Sequence, residues 1–163
     1  LYNLLPNETL SEVMYKNLVS IGGMRYNDAE IKFAQQILDT YEGDYKIESG
    51  EEITPYSIEK RKGGGSTDVG DVSWKVPTAG MSAATWVPGT SAHTWQAVAA
   101  GGTSIGIKGM LIAAKTIALT AQDVFTDPDL IIRANKELEE RIGKNDPYKA
   151  LIGDRDPPLD YRN

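Results

Sequence analysis

The run Ala79-Gly80-Met81-Ser82-Ala83-Ala84-Thr85-Trp86-Val87, closed by Pro88-Gly89, decides how the chain is read. It carries small and apolar side chains, with no polar alternation beyond serine and threonine. A strand covered on both faces has this composition, as at the centre of an α/β sheet. Two further strands are expected from the flanks: Leu1 to Pro6, stopped by its proline, and a short one at Tyr45 to Ile47. Ser66 is placed to cap a short helix through Trp74, ending before Pro77. The expected fold is therefore α/β.

The helices read more directly. Asn7 is an N-cap, and Leu10, Val13, Met14, Leu18 and Ile21 recur at helical spacing up to Gly22-Gly23. Asn27 with Glu30 has the spacing of a capping box, with Tyr26 and Ile31 placed as a hydrophobic staple. Ile31, Ala34, Ile37, Leu38 and Tyr41 form the stripe of that helix, which should end near Gly43. Further on, Ile107, Met110, Leu111, Ala114, Ile117, Ala118, Ala121, Val124 and Phe125 fill most of a helix circumference. Lys108, Lys115 and Gln122 form its narrow polar stripe, so this helix should be deeply packed. Asp127 as N-cap and Pro128 at the first helical position start a last helix. It carries Leu130, Ile131, Ala134, Leu138 and Ile142, pairs Glu137 with Arg141, and closes at Gly143. The tail from Asn145 reads as irregular. Residues 44–65 read as a polar excursion across the surface, running into Gly63-Gly64-Gly65.

With 163 residues the chain can bury one ordinary core. Its 17 Lys and Arg against 23 Asp and Glu leave a net charge of −6, which repels phosphates and anionic headgroups. Nucleic-acid and membrane-surface partners are not expected. The absence of cysteine excludes disulfides, thiolate zinc sites and a cysteine nucleophile. The longest apolar stretch, around residues 105–125, is broken by Lys108 and Lys115 and on that ground is expected not to be a membrane span at all. No export signal opens the chain, and the acidic balance without cysteine suits the cytoplasm. The chain opens at Leu1 without a start methionine, as a fragment or trimmed chain would.

His93 is the one histidine, in Pro88-Gly89-Thr90-Ser91-Ala92-His93-Thr94-Trp95. Ligands of α/β folds sit at the carboxyl ends of central strands, and an imidazole there can bind a metal or move protons. A hydrogen-bonded structural histidine is the plainer alternative. Asp68 and Asp71 fall in a first helical turn, where the macrodipole favours carboxylates. Asp68 equally suits a place beside a metal or its ligands. Trp95, two residues after His93, can wall a pocket for an aromatic ligand, although most tryptophans are core. The glycine run lacks the GxxxxGK[ST] pattern of a phosphate cradle, and Ser66 and Ser91 lie in no nucleophile elbow.

The segment Ser66-Thr67-Asp68-Val69-Gly70-Asp71-Val72-Ser73-Trp74, with Val87-Pro88-Gly89-Thr90 and Ala92-His93-Thr94-Trp95-Gln96, resembles the C-terminal part of the M20-type zinc amidohydrolases and peptidases. The branch it is most similar to is the aminobenzoyl-glutamate utilisation B type. Tyr2-Asn3-Leu4-Leu5-Pro6-Asn7 resembles the point where that family's chain leaves an inserted lid domain. Lys108-Gly109-Met110-Leu111 and Ala113-Ala114-Lys115-Thr116 fit the same branch.

The resemblance implies that residues 1–7 end the lid connection, that 8–163 are the C-terminal segment of a catalytic domain built as a mixed sheet covered by helices, and that the lid is essentially absent. It implies two zinc ions, a small-molecule amide substrate such as aminobenzoyl-glutamate, and dimerisation through the lid. Such zincs activate a bridging water and polarise the amide carbonyl, with a glutamate moving the proton. His93 corresponds to the family's last metal ligand. Ser66-Thr67-Asp68 corresponds to the Ser-Glu-Asp of amino-acid-conjugate hydrolases, with Thr67 in place of the acid, so that position's role does not carry over. The general base and remaining ligands are expected upstream of this chain, which alone should be inactive. The alternative is a non-catalytic assembly or small-molecule-binding module.

Overall fold

A computed structural model describes residues 2–58, 67–143 and 148–160. Its regular elements are α1 (Glu8–Ile21), α2 (Asp28–Leu38), a 3₁₀ turn (Ile47–Gly50), α3 (Val69–Ser73), α4 (Trp95–Gly101), α5 (Ser104–Thr126) and α6 (Pro128–Ile142). Among the described residues there is no strand and no sheet, so the expected α/β architecture is replaced by a helical one.

The segments expected as strands are present as irregular chain. Residues 2–6 are anchored by side chains: the Tyr2 N–H reaches Asp71 Oδ2 (3.4 Å), the Leu5 N–H donates to Ser73 Oγ (2.8 Å), and Trp74 Nε1 donates to the Asn3 carbonyl (2.9 Å). In place of a strand at residues 45–47 the chain enters the 3₁₀ turn. Residues 79–87 run without a ladder partner, with Val87 buried at their end. Composition marks a segment as fit for a sheet interior, but a strand exists only where a neighbour satisfies its amides and carbonyls. The described chain offers none.

The helix signals are realised. Asn7 Oδ1 accepts from the Leu10 N–H (3.1 Å) while Nδ2 donates to the Ala134 carbonyl (2.9 Å), so the cap of α1 is also a tie to α6. The Asn27–Glu30 capping box is complete, at 2.9 and 2.8 Å. Asp127 caps α6, Pro128 opens it, and Gly143 ends it at φ +73°. Helix α2 ends at Leu38, earlier than Gly43, and Ile31 of its expected stripe is exposed. Helix α3 starts from Asp68; Ser66, its expected cap, and Gly63–Gly65 lie outside the described residues, as do Leu1 and Asn145. Helix α4 has no counterpart among the sequence expectations, although Thr94, whose Oγ1 accepts from the Ala97 N–H (3.3 Å), is an ordinary N-cap.

Met24, Ala34, Ile37, Val87, Ala100 and Ile105 form a core between α2, α4 and the start of α5. Helix α5 packs with α1, α4 and α6, and apart from Ile105 its buried positions are small. Its buried positions are Ile105, Gly106, Gly109, Thr116 and Thr120, whereas Ile107, Met110, Leu111, Ile117 and Phe125 are exposed. The expectation of a deeply packed helix is thus corrected: a narrow face of small residues is covered and the broad aliphatic face is not. Close approach explains the choice. A Cβ on Gly109 would lie 2.3 Å from the Ala84 carbonyl oxygen, and one on Gly106 2.2 Å from that of Gly101.

Lys108 and Lys115 do not by themselves exclude a span, because an 18-residue window of α5 has mean hydropathy 1.3 and the helix is long enough to cross a bilayer. Its polar bonds are those of a helix packed on its own protein. Asn17 Nδ2 donates to Asp123 Oδ2 (2.7 Å) and Thr120 Oγ1 (3.2 Å). Lys108 Nζ donates to Glu30 Oε2 (2.6 Å) and the Arg25 carbonyl (2.7 Å).

Glu137 of α6 caps the N-terminus of α1. Its carboxylate accepts from the Glu8 N–H (2.6 Å), the Thr9 N–H (2.8 Å) and the Thr9 hydroxyl (2.7 Å). Arg141 joins it through Nε (2.9 Å) and pairs with Glu8 as well. Burial pushes Glu137 up, but the Thr9 and Glu8 amides, the Thr9 hydroxyl and Arg141 outweigh it and hold the carboxyl below its ordinary value.

A group so depressed contributes stability above its unfolded pKa and loses it as pH falls through the folded one. Glu137→Gln should therefore cost about 2 kcal/mol near pH 7 in urea unfolding. The gap to the wild type should narrow on acidification below the ordinary carboxylate value of about 4.3. Gly109→Ala should cost about 1–3 kcal/mol by forcing Ala84 away. Gly102→Ala, with nothing within 4 Å of the added carbon, should be close to neutral and is the matching control.

Candidate functional site

The described segment between Val87 and α4 forms a tight loop. Gly89 turns it at φ +83°, and the Thr90 N–H closes on the Val87 carbonyl (3.1 Å). Thr94 Oγ1 donates back to the Ser91 carbonyl (2.8 Å) as α4 begins. His93 sits between these fixed points at φ +62°, the one non-glycine residue described with positive φ. That conformation costs a residue with a Cβ about 1–2 kcal/mol and persists only where the surroundings impose it.

The His93 side chain is exposed, and no described residue hydrogen-bonds its ring. With Trp86, Thr94, Trp95, Ala97 and Val98 it lines a shallow open recess. Trp95 is 60% exposed and Val98 79%, an unusual apolar display around one imidazole.

Of the residues singled out in the sequence, His93 and Trp95 are brought together, and Trp86 joins them. Trp74 does not: its ring packs on Tyr2 at 5.2 Å. Asp68 stands exposed at the start of α3, its side chain capping nothing, and it does not line the recess. Asp71, expected to cap and solvate, instead ties distant chain together. It accepts from Tyr2 through Oδ2 and from the Tyr148 hydroxyl (3.0 Å) through Oδ1. That hydrogen bond raises the Tyr148 phenol pKa, with desolvation and the Asp71 charge adding to it. Sequence offered no signal for this pairing, because the two residues are 77 apart.

A larger cleft of about 900 Å³ opens between α1, residues 49–58 and Gly80–Ala84. It is lined by Met14, Tyr15, Leu18, Met24, Glu52 and Tyr56 among others, and by none of the predicted site residues. Size alone does not make it the site, since its lining includes no histidine and a single carboxylate. Among the described residues no three His, Asp or Glu side chains are grouped to hold a metal ion. As a donor to a metal, His93 fits in being open and unpaired. It is also alone.

The strained backbone gives a direct expectation. His93→Gly should leave unfolding stability unchanged or raise it by up to about 1 kcal/mol, because glycine occupies positive φ freely. His93→Val should cost about 1–2 kcal/mol at the same position. Urea titrations of the two variants check this, and a clear loss in His93→Gly would contradict it.

No family model matches the chain, and no solved structure matches it. It is 36% identical to the B-type subunit of p-aminobenzoyl-glutamate hydrolase from Escherichia coli (strain K12), over 91% of its own length. The chain spans 36% of the length of that curated relative. This 36% identity over 91% of the chain is consistent with the aminobenzoyl-glutamate utilisation B-like branch that its sequence resembles.

Proposed function

We propose that this chain is part of a zinc-dependent amidohydrolase acting on an aminobenzoyl-type amide of glutamate or a related amino acid, and that it is inactive alone. The observation that carries the reading is the pose of His93. A strained backbone presents an unpaired imidazole beside two tryptophans, in a chain whose relative is named a hydrolase of p-aminobenzoyl-glutamate. Structural histidines are ordinarily hydrogen-bonded and relaxed; this one is neither, and strain of this kind gathers at functional positions.

In this reading His93 supplies one nitrogen to zinc. Catalytic zinc sites take about three protein ligands, so the other donors and the general base belong to polypeptide outside this chain. This chain's share of the work is to hold that nitrogen in place and to offer indole faces. Trp86 and Trp95 suit an aminobenzoyl ring, which stacks on such surfaces with about 0.5–1.5 kcal/mol beyond simple burial. The acidic balance and lack of cysteine support a cytoplasmic setting.

His93→Ala in the full-length protein tests the reading. Zinc content should fall, and turnover of aminobenzoyl-glutamate should drop by at least about 100-fold with the fold intact by circular dichroism. Survival of both zinc and turnover would remove His93 from the site. Metal-dependent turnover by the 163 residues alone would overturn the claim that the centre is shared.

A further inference from the structure

The loop that bears His93 is held from one side by the end of α2 and the residues that follow it. The Tyr41 hydroxyl donates to Thr90 Oγ1 at 2.8 Å, three residues before the imidazole. Gln96 Nε2, three residues after it, donates to Thr40 Oγ1 at 3.2 Å. One residue before Thr90, the Tyr45 ring lies against Gly89 so closely that a Cβ there would sit 2.7 Å from Tyr45 Cγ. Tyr41 and Tyr45 meet edge to face at 6.1 Å, and Tyr41 is itself packed on the core of Met24, Ala34, Ile37 and Val87. The loop is thus pinned on both flanks of a residue whose own backbone is strained. Strain persists only when something outside the residue over-determines it.

We infer that Tyr41, through its hydrogen bond to Thr90, is a positioning residue that fixes the pose of His93. Resting on the reading of His93 given above, this adds a residue about 50 positions away to the same site. The Tyr41 phenol touches neither the imidazole nor the recess. It acts by holding Thr90 and, with Tyr45 under Gly89, the turn from which His93 projects. A side chain at position 89 would have to displace the Tyr45 ring, which marks how closely that ring lies on the turn. Losing the Tyr41 bond should free the loop without disturbing α1, α5 or α6, none of which touches it through this contact.

The test compares Tyr41→Phe, Thr90→Val, the two together and His93→Ala, all in the full-length protein. Steady-state turnover is one readout, and hydrogen–deuterium exchange followed by mass spectrometry on peptides covering residues 87–98 is the other. Tyr41→Phe and Thr90→Val should each lower kcat about 3- to 10-fold with KM unchanged, the size expected for one hydrogen bond. Because both remove the same bond, the double variant should lose no more than the larger single loss. Exchange should quicken in 87–98 and stay as in the wild type in α1 and α6.

Losses that multiply, an unchanged kcat, or exchange that quickens throughout the chain would overturn the inference. If His93→Ala keeps full turnover, the functional reading of His93 fails instead. The clamp is then judged by the exchange data alone: faster exchange in 87–98 sustains it as a holder of the loop, and no change refutes it.

Discussion

The narrow face of α5 is the constraint on which the rest of the structure depends. Gly106 and Gly109 bring its backbone against Gly101 and Ala84, closer than any side chain would allow. That approach fixes the run from Ala84 to Val87, and Val87 in turn sits in the core with Ala100 and Ile105. The loop of His93 hangs between these two anchored points. Thr116 and Thr120 extend the same face toward α1, each hydroxyl satisfied by a carbonyl one turn earlier on α5. Small residues inside leave the large ones outside, which is why Ile107, Met110, Leu111 and Ile117 face away from the protein's own core.

Two carboxylates do for the helices what the glycines do for the loop. Glu30 is buried and accepts from the Asn27 N–H, the Ser104 hydroxyl and Lys108, so a local capping box becomes a bolt between α2 and α5. Burial pushes its pKa up, but Lys108, Ser104 and the Asn27 amide together hold it below the ordinary range. Glu137 plays the matching part between α6 and α1. Glu30 accepts three hydrogen bonds and Glu137 four, and such pairing is the condition under which taking a charge out of water does not destabilise. The helices are therefore oriented by hydrogen bonds at their ends and by shape along their sides.

How far the sequence can be read differs by element. Caps are legible because they are local: Asn7, Asn27 with Glu30, Asp127 with Pro128, and Gly143 each act within four residues. The pairing of Glu137 with Arg141 is legible for the same reason. The run Ala79–Val87 misleads because apolar composition without a periodic signal describes burial, not pairing, and no strand among the described residues pairs with it. The circumference of α5 misleads because large apolar residues ordinarily mark the inward face of a helix. At a contact closer than a methyl group, glycine and threonine mark it instead. At the site, His93 and Trp95 are legible from their spacing. Trp86 is legible as a neighbour of the same segment, whereas the grip of Tyr41 on Thr90, which spans 49 residues, is not.

By itself, then, the sequence determined the caps of α1, α2 and α6, the acidic balance, the lack of thiol chemistry, and the likeness to the hydrolase subunit. These rest on interactions within a few residues, or on identity along the chain. The tertiary structure alone decided that residues 79–87 make no strand, that beyond Ile105 the buried face of α5 is glycine and threonine, and that His93 stands strained, with no hydrogen-bond partner among the described residues, in a recess of tryptophans. Each of those depends on which distant backbone comes within contact, and that is set by the closest approach the glycines permit.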